Sequence, residues 1–393
     1  MQLAHLRAPW PPKINRIDRP GCEPTSKSGA ALGALFFAYW RTGVSYLGWS
    51  HIDPMNALDE GTSLRQLIMG FRISQMIFVA AKLDLADHLA RAPCTAQELA
   101  PTVGVDADAL YRLLRALASL GVFAETPGQQ FVMTSASELL RRDSPGSLRR
   151  TAMLYGDELL WGAYGRLSHA IETGTSAFEH LYGQPFYDYL SDHQSSATLF
   201  HEAMTGFSEL EAAAILAAYD FSGVGTVVDV GGGQGALMAA LLRAYPDLTA
   251  VIFDRSPPTE DTQRFFEAAD IGGRGKFIQG DFFSGVPAGG DLYVLKSIIH
   301  NWADEPAKAI LRRCHTAMPT KGRLLLAERV IPPGNLPSES KLFDINMLVT
   351  VGGRERTEEE YKALLQAANL KLTRIISTTS HLSLVEAAIS PAF

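Results

Sequence analysis

Val227-Val-Asp-Val-Gly-Gly-Gly-Gln-Gly-Ala236 reads as a β-strand running into a glycine loop and then into a helix, Leu237 to Ala244. Glycines let the backbone approach a ligand closely, because no Cβ stands between chain and guest. By itself the pattern serves two ligand classes. Gly231, Gly233 and Ala236 also satisfy the relaxed dinucleotide pattern, and Asp254 follows about 20 residues on, at the end of the next strand, placed for ribose hydroxyls.

Outward from this loop, strands alternate with helices: Thr226 to Val230, Thr249 to Phe253, Lys276 to Gln279, Leu292 to Lys296 and Arg323 to Arg329 are strand-like. That alternation predicts an α/β fold with a parallel, doubly wound, Rossmann-like sheet. The capping box Thr357-Glu-Glu-Glu360 opens a helix near Glu359 to Ala368, and strands Leu370 to Ser377 and Leu382 to Ala387 close the chain. Upstream, from Leu64 to Tyr219, apolar residues recur at three and four, as in Leu67, Ile68, Phe71, Ile77 and Phe78, which predicts a mostly helical domain. Within it come a capping box at Thr95 to Glu98, a helix from Asp106 to Leu120, and strands Val122 to Glu125 and Phe131 to Met133 around a Pro127-Gly128 turn. That order is a winged helix.

The second helix of this unit carries few bases, Arg112 and Arg115 beside Asp106 and Asp108, which disfavours DNA as its partner. Helices apolar on more than one side suit pairing with a second copy of the chain, so the expectation is a homodimer. The 393 residues thus divide into an extension at 1–55, a helical winged-helix dimerisation domain at 56–219, and a cofactor-binding catalytic domain at 220–393. The extension is Pro-rich at first and then aromatic; it reads as a disordered lead-in that packs one apolar segment, or as the product of an upstream start with Met55 nearer the true beginning.

With 42 acidic against 35 basic residues the formal charge is −7, leaving no basic excess for a phosphate backbone. Cys22, Cys94 and Cys314 have neither disulfide-framework nor zinc spacing, which points to a reducing, cytoplasmic setting and no metal. Ala30 to Trp40 is about half of a membrane-spanning length.

Asp229, just before the glycine loop, would repel a pyrophosphate but can face a cationic amino group. Gly280-Asp-Phe-Phe283 follows the third strand and offers a carboxylate and an aromatic face to an adenine ring. Together these favour S-adenosylmethionine over NAD; the plainer readings are a turn cap for Asp281 and core packing for Phe282. These runs, with Leu295-Lys-Ser-Ile-Ile-His-Asn-Trp-Ala-Asp-Glu305, Ala327-Glu-Arg329 and Gly352-Gly-Arg-Glu-Arg-Thr357, resemble the caffeic acid type of S-adenosylmethionine-dependent O-methyltransferase over residues 64 to 389. The bacterial members of that family act in aromatic polyketide and phenazine pathways, and Phe178 to Leu190 is similar to the phenazine enzymes.

The resemblance implies that Gly231, Gly233 and Asp254 contact the cofactor, with Asp281, Phe282 and Lys296 completing its site. It implies His300 as general base, flanked and oriented by Glu328 and Glu355, and Met204, Phe207 and Met347 against the substrate. It also implies a winged-helix homodimer. A phenol, with a pKa of about 10, is a weak nucleophile, whereas neutral histidine, with a pKa of about 6.5, can take its proton during attack. Ile298-Ile-His-Asn-Trp302 closes the fourth strand, which puts His300 at the carboxyl ends where such sheets bind ligands. Asn301 and Arg255 depart from the commonest family pattern without removing a catalytic group. Methylation of a heteroaromatic nitrogen or carbon, methylation of a hydroxylated carotenoid, and a non-transferring binding module are the alternatives. Phenazine N-methylating relatives can lack the histidine, so its presence favours oxygen.

Overall fold

The computed structural model describes residues 60–255 and 273–390, with 258, 266 and 267 between them; the expected extension at 1–55 lies outside the described residues. Seven strands form the main sheet: β1 Thr226–Val230, β2 Thr249–Asp254, β3 Gly275–Gln279, β4 Leu292–Lys296, β5 Arg323–Glu328, β6 Leu370–Ser377 and β7 Ser383–Ile389. Their order is β3-β2-β1-β4-β5-β7-β6. The first five are parallel, as expected, and β7 runs antiparallel to both β5 and β6. Asn369, at φ +61°, turns the chain between the helix Glu358–Gln366 and β6, and the tight hairpin β6–β7 then makes the edge antiparallel.

Strands covered by helices on both faces must be apolar along their whole length. Val228 to Val230 and Leu292 to Leu295 are accordingly buried without a break. Alternate residues feed two cores. Val227, Val294 and Leu325 pack with helix Ala236–Ala244, while Val228, Leu295 and Leu326 pack with Ala307, Ile310 and Leu311 of helix Asp304–Ala317 and with Leu364 and Leu365. Truncating one such leucine to alanine costs about 2–5 kcal/mol.

The strand order reverses between β1 and β4. There the loops after the two strands leave on opposite faces, and a crevice opens at their carboxyl ends. The glycine loop leaves β1 and the His300 segment leaves β4, so the topology alone brings them together.

At the N-terminal end, helices Ala96–Val103 and Ala107–Ser119 are followed by strands Phe123–Thr126 and Gln130–Met133, the latter also paired with Cys94–Thr95. The winged helix is present, with the Thr95–Glu98 capping box closed in both directions. Helix Glu60–Lys82 leaves Leu64, Leu67, Ile68 and Phe71 more than half exposed. Helices from Arg149 to Ala218 enclose Ile345, Leu348 and Val349 of helix Glu339–Thr350. This helix, inserted after β5, puts its side chains opposite those of helices 149–218.

Candidate active site

The chain leaves β4 through Ser297, which holds a left-handed φ of +55°. A residue with a Cβ is rarely found there, and such strain persists only where neighbours enforce it. Ser297 N–H donates to the Ala327 carbonyl at 3.0 Å, and its own carbonyl accepts from Asn301 Nδ2 at 3.1 Å. The turn makes a single 3₁₀ step, Ile299–Asn301, and places His300 on it, not at the strand end itself. Three further contacts hold this step. Glu328 Oε1 accepts from the backbone N–H groups of Ile298, at 3.0 Å, and Ile299, at 2.7 Å. The fully buried Arg356 donates to the Ile299 and Trp302 carbonyls and to Asp304. Arg354 N–H donates to the His300 carbonyl at 2.8 Å, a contact open only because residue 353 is glycine: a Cβ there would overlap the His300 carbonyl oxygen and the Asn301 backbone.

His300 is 5% exposed. Its Nδ1 lies 2.8 Å from Glu355 Oε1 and 3.6 Å from Glu328 Oε2. A carboxylate only accepts, so the proton of neutral His300 is on Nδ1, leaving the Nε2 lone pair free. The two acids therefore differ in role: Glu355 holds the ring, and Glu328 holds the turn beneath it. Burial alone would push the His300 pKa down, but the Glu328 and Glu355 carboxylates outweigh it and hold the pKa above its ordinary 6.5. Burial drives the Glu328 carboxyl upward, with His300 opposing. The Glu355 N–H is anchored on Asp344 Oδ1 at 2.8 Å.

The donor atoms of His300, Glu328 and Glu355 all lie within 4.8 Å of one another, a spacing that also admits a metal ion. The closest pair, however, stands at 2.8 Å. Two ligands at about 2.1 Å from one tetrahedral ion would stand about 3.4 Å apart. The observed separation is that of a charge-assisted hydrogen bond.

His300 lines a cavity together with Met204, Phe207 and Met347, and with Lys296, Tyr155 and Arg329. The three residues expected against substrate thus come together with His300 from three separate segments. Across the crevice, Gly231 and Gly233 adopt φ of +77° and +56°, which favour glycine strongly. Gly233 N–H donates to Asp254 Oδ2 at 2.9 Å. A Cβ on Gly232 would stand 2.5 Å from Asp229 Oδ2, so the loop folds directly over that buried carboxyl. Burial pushes the Asp229 pKa up to about 7, against the pull of Lys296 and with the push of Asp254. A cationic amino group arriving there would restore the carboxylate. This cradle fits an adenosyl amino acid: main chain without side chains, and carboxylates for hydroxyls and an ammonium.

Other expected cofactor residues have additional partners. Asp281 is exposed, and its Oδ1 accepts from Phe283 N–H at 2.9 Å, closing its own turn. Phe282 is half-buried and meets Trp302 edge-on at 6.1 Å while also approaching Gly231. Lys296 donates to Glu211 Oε2 at 2.8 Å, and Glu211 Oε1 accepts from His381 at 2.8 Å. Burial would raise the Glu211 pKa, but Lys296 and His381 hold it down to about 2. Glu211, Arg329, Asp344, Gly353 and Arg356 escaped sequence reasoning. Arg329, Gly353 and Arg356 stand inside the runs that carry the resemblance but had no role of their own, and Glu211 and Asp344 show only a charge within a helix.

An O-methyltransferase domain model matches residues 164–371, and an O-methyltransferase dimerisation domain model matches residues 65–143. The phenazine O-methyltransferase of Lysobacter antibioticus is 40% identical over 324 residues, 82% of this chain and 95% of that protein. The solved structure of LaPhzM has a TM-score of 0.80 at 39% identity, covering 84% of this chain and all of the other. An O-methyltransferase from neocarzinostatin biosynthesis, solved with S-adenosylmethionine and 2-hydroxy-5-methyl naphthoic acid, has a TM-score of 0.70 at 34% identity, covering 81% and 96%. The exposed apolar row at Leu67, Ile68 and Phe71 falls within the dimerisation match. The chain belongs to the O-methyltransferase family: it is an enzyme that methylates oxygen, with a dimerisation domain ahead of its catalytic sheet.

Proposed function

We propose that His300 is the general base for methyl transfer to a phenolic hydroxyl of a small aromatic natural product. Asp229, Gly231, Gly233 and Asp254 hold S-adenosylmethionine, with Asp281, Phe282 and Lys296 around it. S-adenosylmethionine, when bound, supplies the methyl group as an electrophile. One observation carries the reading: a buried imidazole on the cavity wall with Nδ1 tied to Glu355 at 2.8 Å. Nε2 takes the phenolic proton as the oxygen attacks, and Glu355 and Glu328 stabilise the imidazolium that forms. Met204, Phe207 and Met347 clasp the aromatic ring and keep its hydroxyl beside the base, converting an encounter into a local event.

The division at residues 55 and 219 is our own; it is supported by helix Gln194–Ala218 ending just before β1 begins. No described helix is long and apolar enough to cross a membrane. We place the enzyme in the cytoplasm, a reading supported by the free thiols of Cys94 and Cys314.

The test is transfer of labelled methyl from S-adenosylmethionine to phenolic acceptors by wild type and His300→Ala. Transfer is expected to fall by roughly 10² to 10⁴ with cofactor affinity retained. Unchanged transfer by the variant would remove His300 as base.

A further inference from the structure

Arg329 directly follows β5 and is 6% exposed, yet it faces the cavity with His300. Its guanidinium carbon lies 3.6 Å from the centre of the Phe343 ring, and that ring stacks on His300 with centres 6.2 Å apart. Among the described residues no carboxylate stands within ion-pair distance of Arg329, and its buried Nε donates to nothing. The other cations around the site are answered: Lys296 by Glu211 and Arg356 by Asp304. A guanidinium cannot shed its proton to relieve burial, and a stacked ring compensates the lost water only in part. A planar fork of donors in such a place matches a carboxylate.

Resting on the reading of this cavity as the acceptor site, we propose that the substrate carries a carboxylate on the ring system that bears the methylated hydroxyl, and that Arg329 binds it. The two stacking distances end to end put the guanidinium less than 10 Å from the imidazole. A fused aromatic acid covers that span, with its hydroxyl at His300 and its carboxylate at Arg329. Neutral phenols of the same shape leave the guanidinium unmet and are discriminated against, because the unpaired donor penalises the wrong ligand.

The experiment uses the full-length enzyme with S-adenosylhomocysteine and two matched probes, a hydroxynaphthoic acid and the corresponding naphthol, measured by calorimetry and, with the methyl donor, by product formation. The wild type is expected to bind the acid about 10- to 100-fold more tightly than the naphthol. Arg329→Met should abolish that preference with little change for the naphthol, and Arg329→Lys should retain part of it. Equal affinity for both probes in the wild type overturns the proposal, as do equal losses for both in Arg329→Met, or no binding of the acid up to its solubility. If Arg329→Met does not fold, the wild-type preference and Arg329→Lys decide. A wild-type binding preference for the acid with transfer unchanged in His300→Ala would sink the proton-transfer reading and leave this one standing; transfer lost in His300→Ala with equal KM for both probes in the wild type would do the reverse.

Discussion

Glu355→Gln is the sharpest probe of the His300 pair, because it keeps size and an acceptor oxygen while removing charge. At 2.8 Å the Nδ1–Oε1 contact is a short, fully buried, charge-assisted hydrogen bond. Such a bond contributes about 1.5–3 kcal/mol, and a neutral one about 0.5–1.5 kcal/mol. The difference, about 1–2 kcal/mol, falls on the state in which His300 is cationic, and converts to a loss of roughly 5- to 30-fold in kcat. The pH profile carries a separate sign. Glu328 and Glu355 together hold the His300 pKa above its ordinary value, and a base acts only when unprotonated. Wild-type kcat/KM should therefore rise with pH along a limb centred above 6.5, and Glu355→Gln should move that limb to lower pH while lowering the plateau. Stability follows the same pair. A histidine whose pKa is raised on folding contributes stability that is complete below its unfolded pKa, about 6.5, and fades as pH rises through the folded value. The melting-temperature gap between wild type and variant should thus be wider at pH 6 than at pH 9. Steady-state kinetics from pH 5.5 to 10 with thermal melts at the two ends measure both effects. An unmoved limb with a plateau within twofold of wild type would refute the assignment of Glu355 as the partner of Nδ1.

Gly353→Ala inserts a methyl where the His300 carbonyl and Asn301 backbone already stand, so the base or the 353–356 loop must shift. Overpacking of this kind costs about 1–3 kcal/mol, and kcat should fall by more than tenfold while cofactor affinity, read by calorimetry, stays the same; full activity would show that the loop moves freely. Treatment with EDTA, followed by dialysis, should leave methyl transfer unchanged, since the 2.8 Å separation in the His300–Glu355 pair is that of a hydrogen bond; activity lost and then restored by a divalent cation would assign the triad to a metal.

How far the sequence carried the reading depends on whether a feature was periodic or pairwise. The strand runs at Val227 to Val230, apolar but for Asp229, and at Leu292 to Leu295, the glycine loop and both capping boxes are local patterns with one structural meaning each, and they placed the sheet and its switch point. His300 was legible for the same reason, because strand order puts whatever follows β4 into the crevice. Side-chain partnerships were not. Glu328 and Glu355 look alike as charges near the sheet's carboxyl ends, and only the fold gives one to the ring and the other to the backbone of Ile298 and Ile299. Asp281 has the position of a cofactor ligand and also bonds its own turn, because a short carboxylate two residues before an N–H always has that choice. Arg329 is the sharper case. Next to Glu328 in sequence it looks like half of an ion pair, but adjacent residues at a strand end point to opposite sides, and this one emerges beneath Phe343 with no anion to meet it among the described residues. A buried charge is costly enough that its isolation implies a partner from outside the described chain. For that reason a residue to which the pattern gave no role of its own is the one that bears on the substrate.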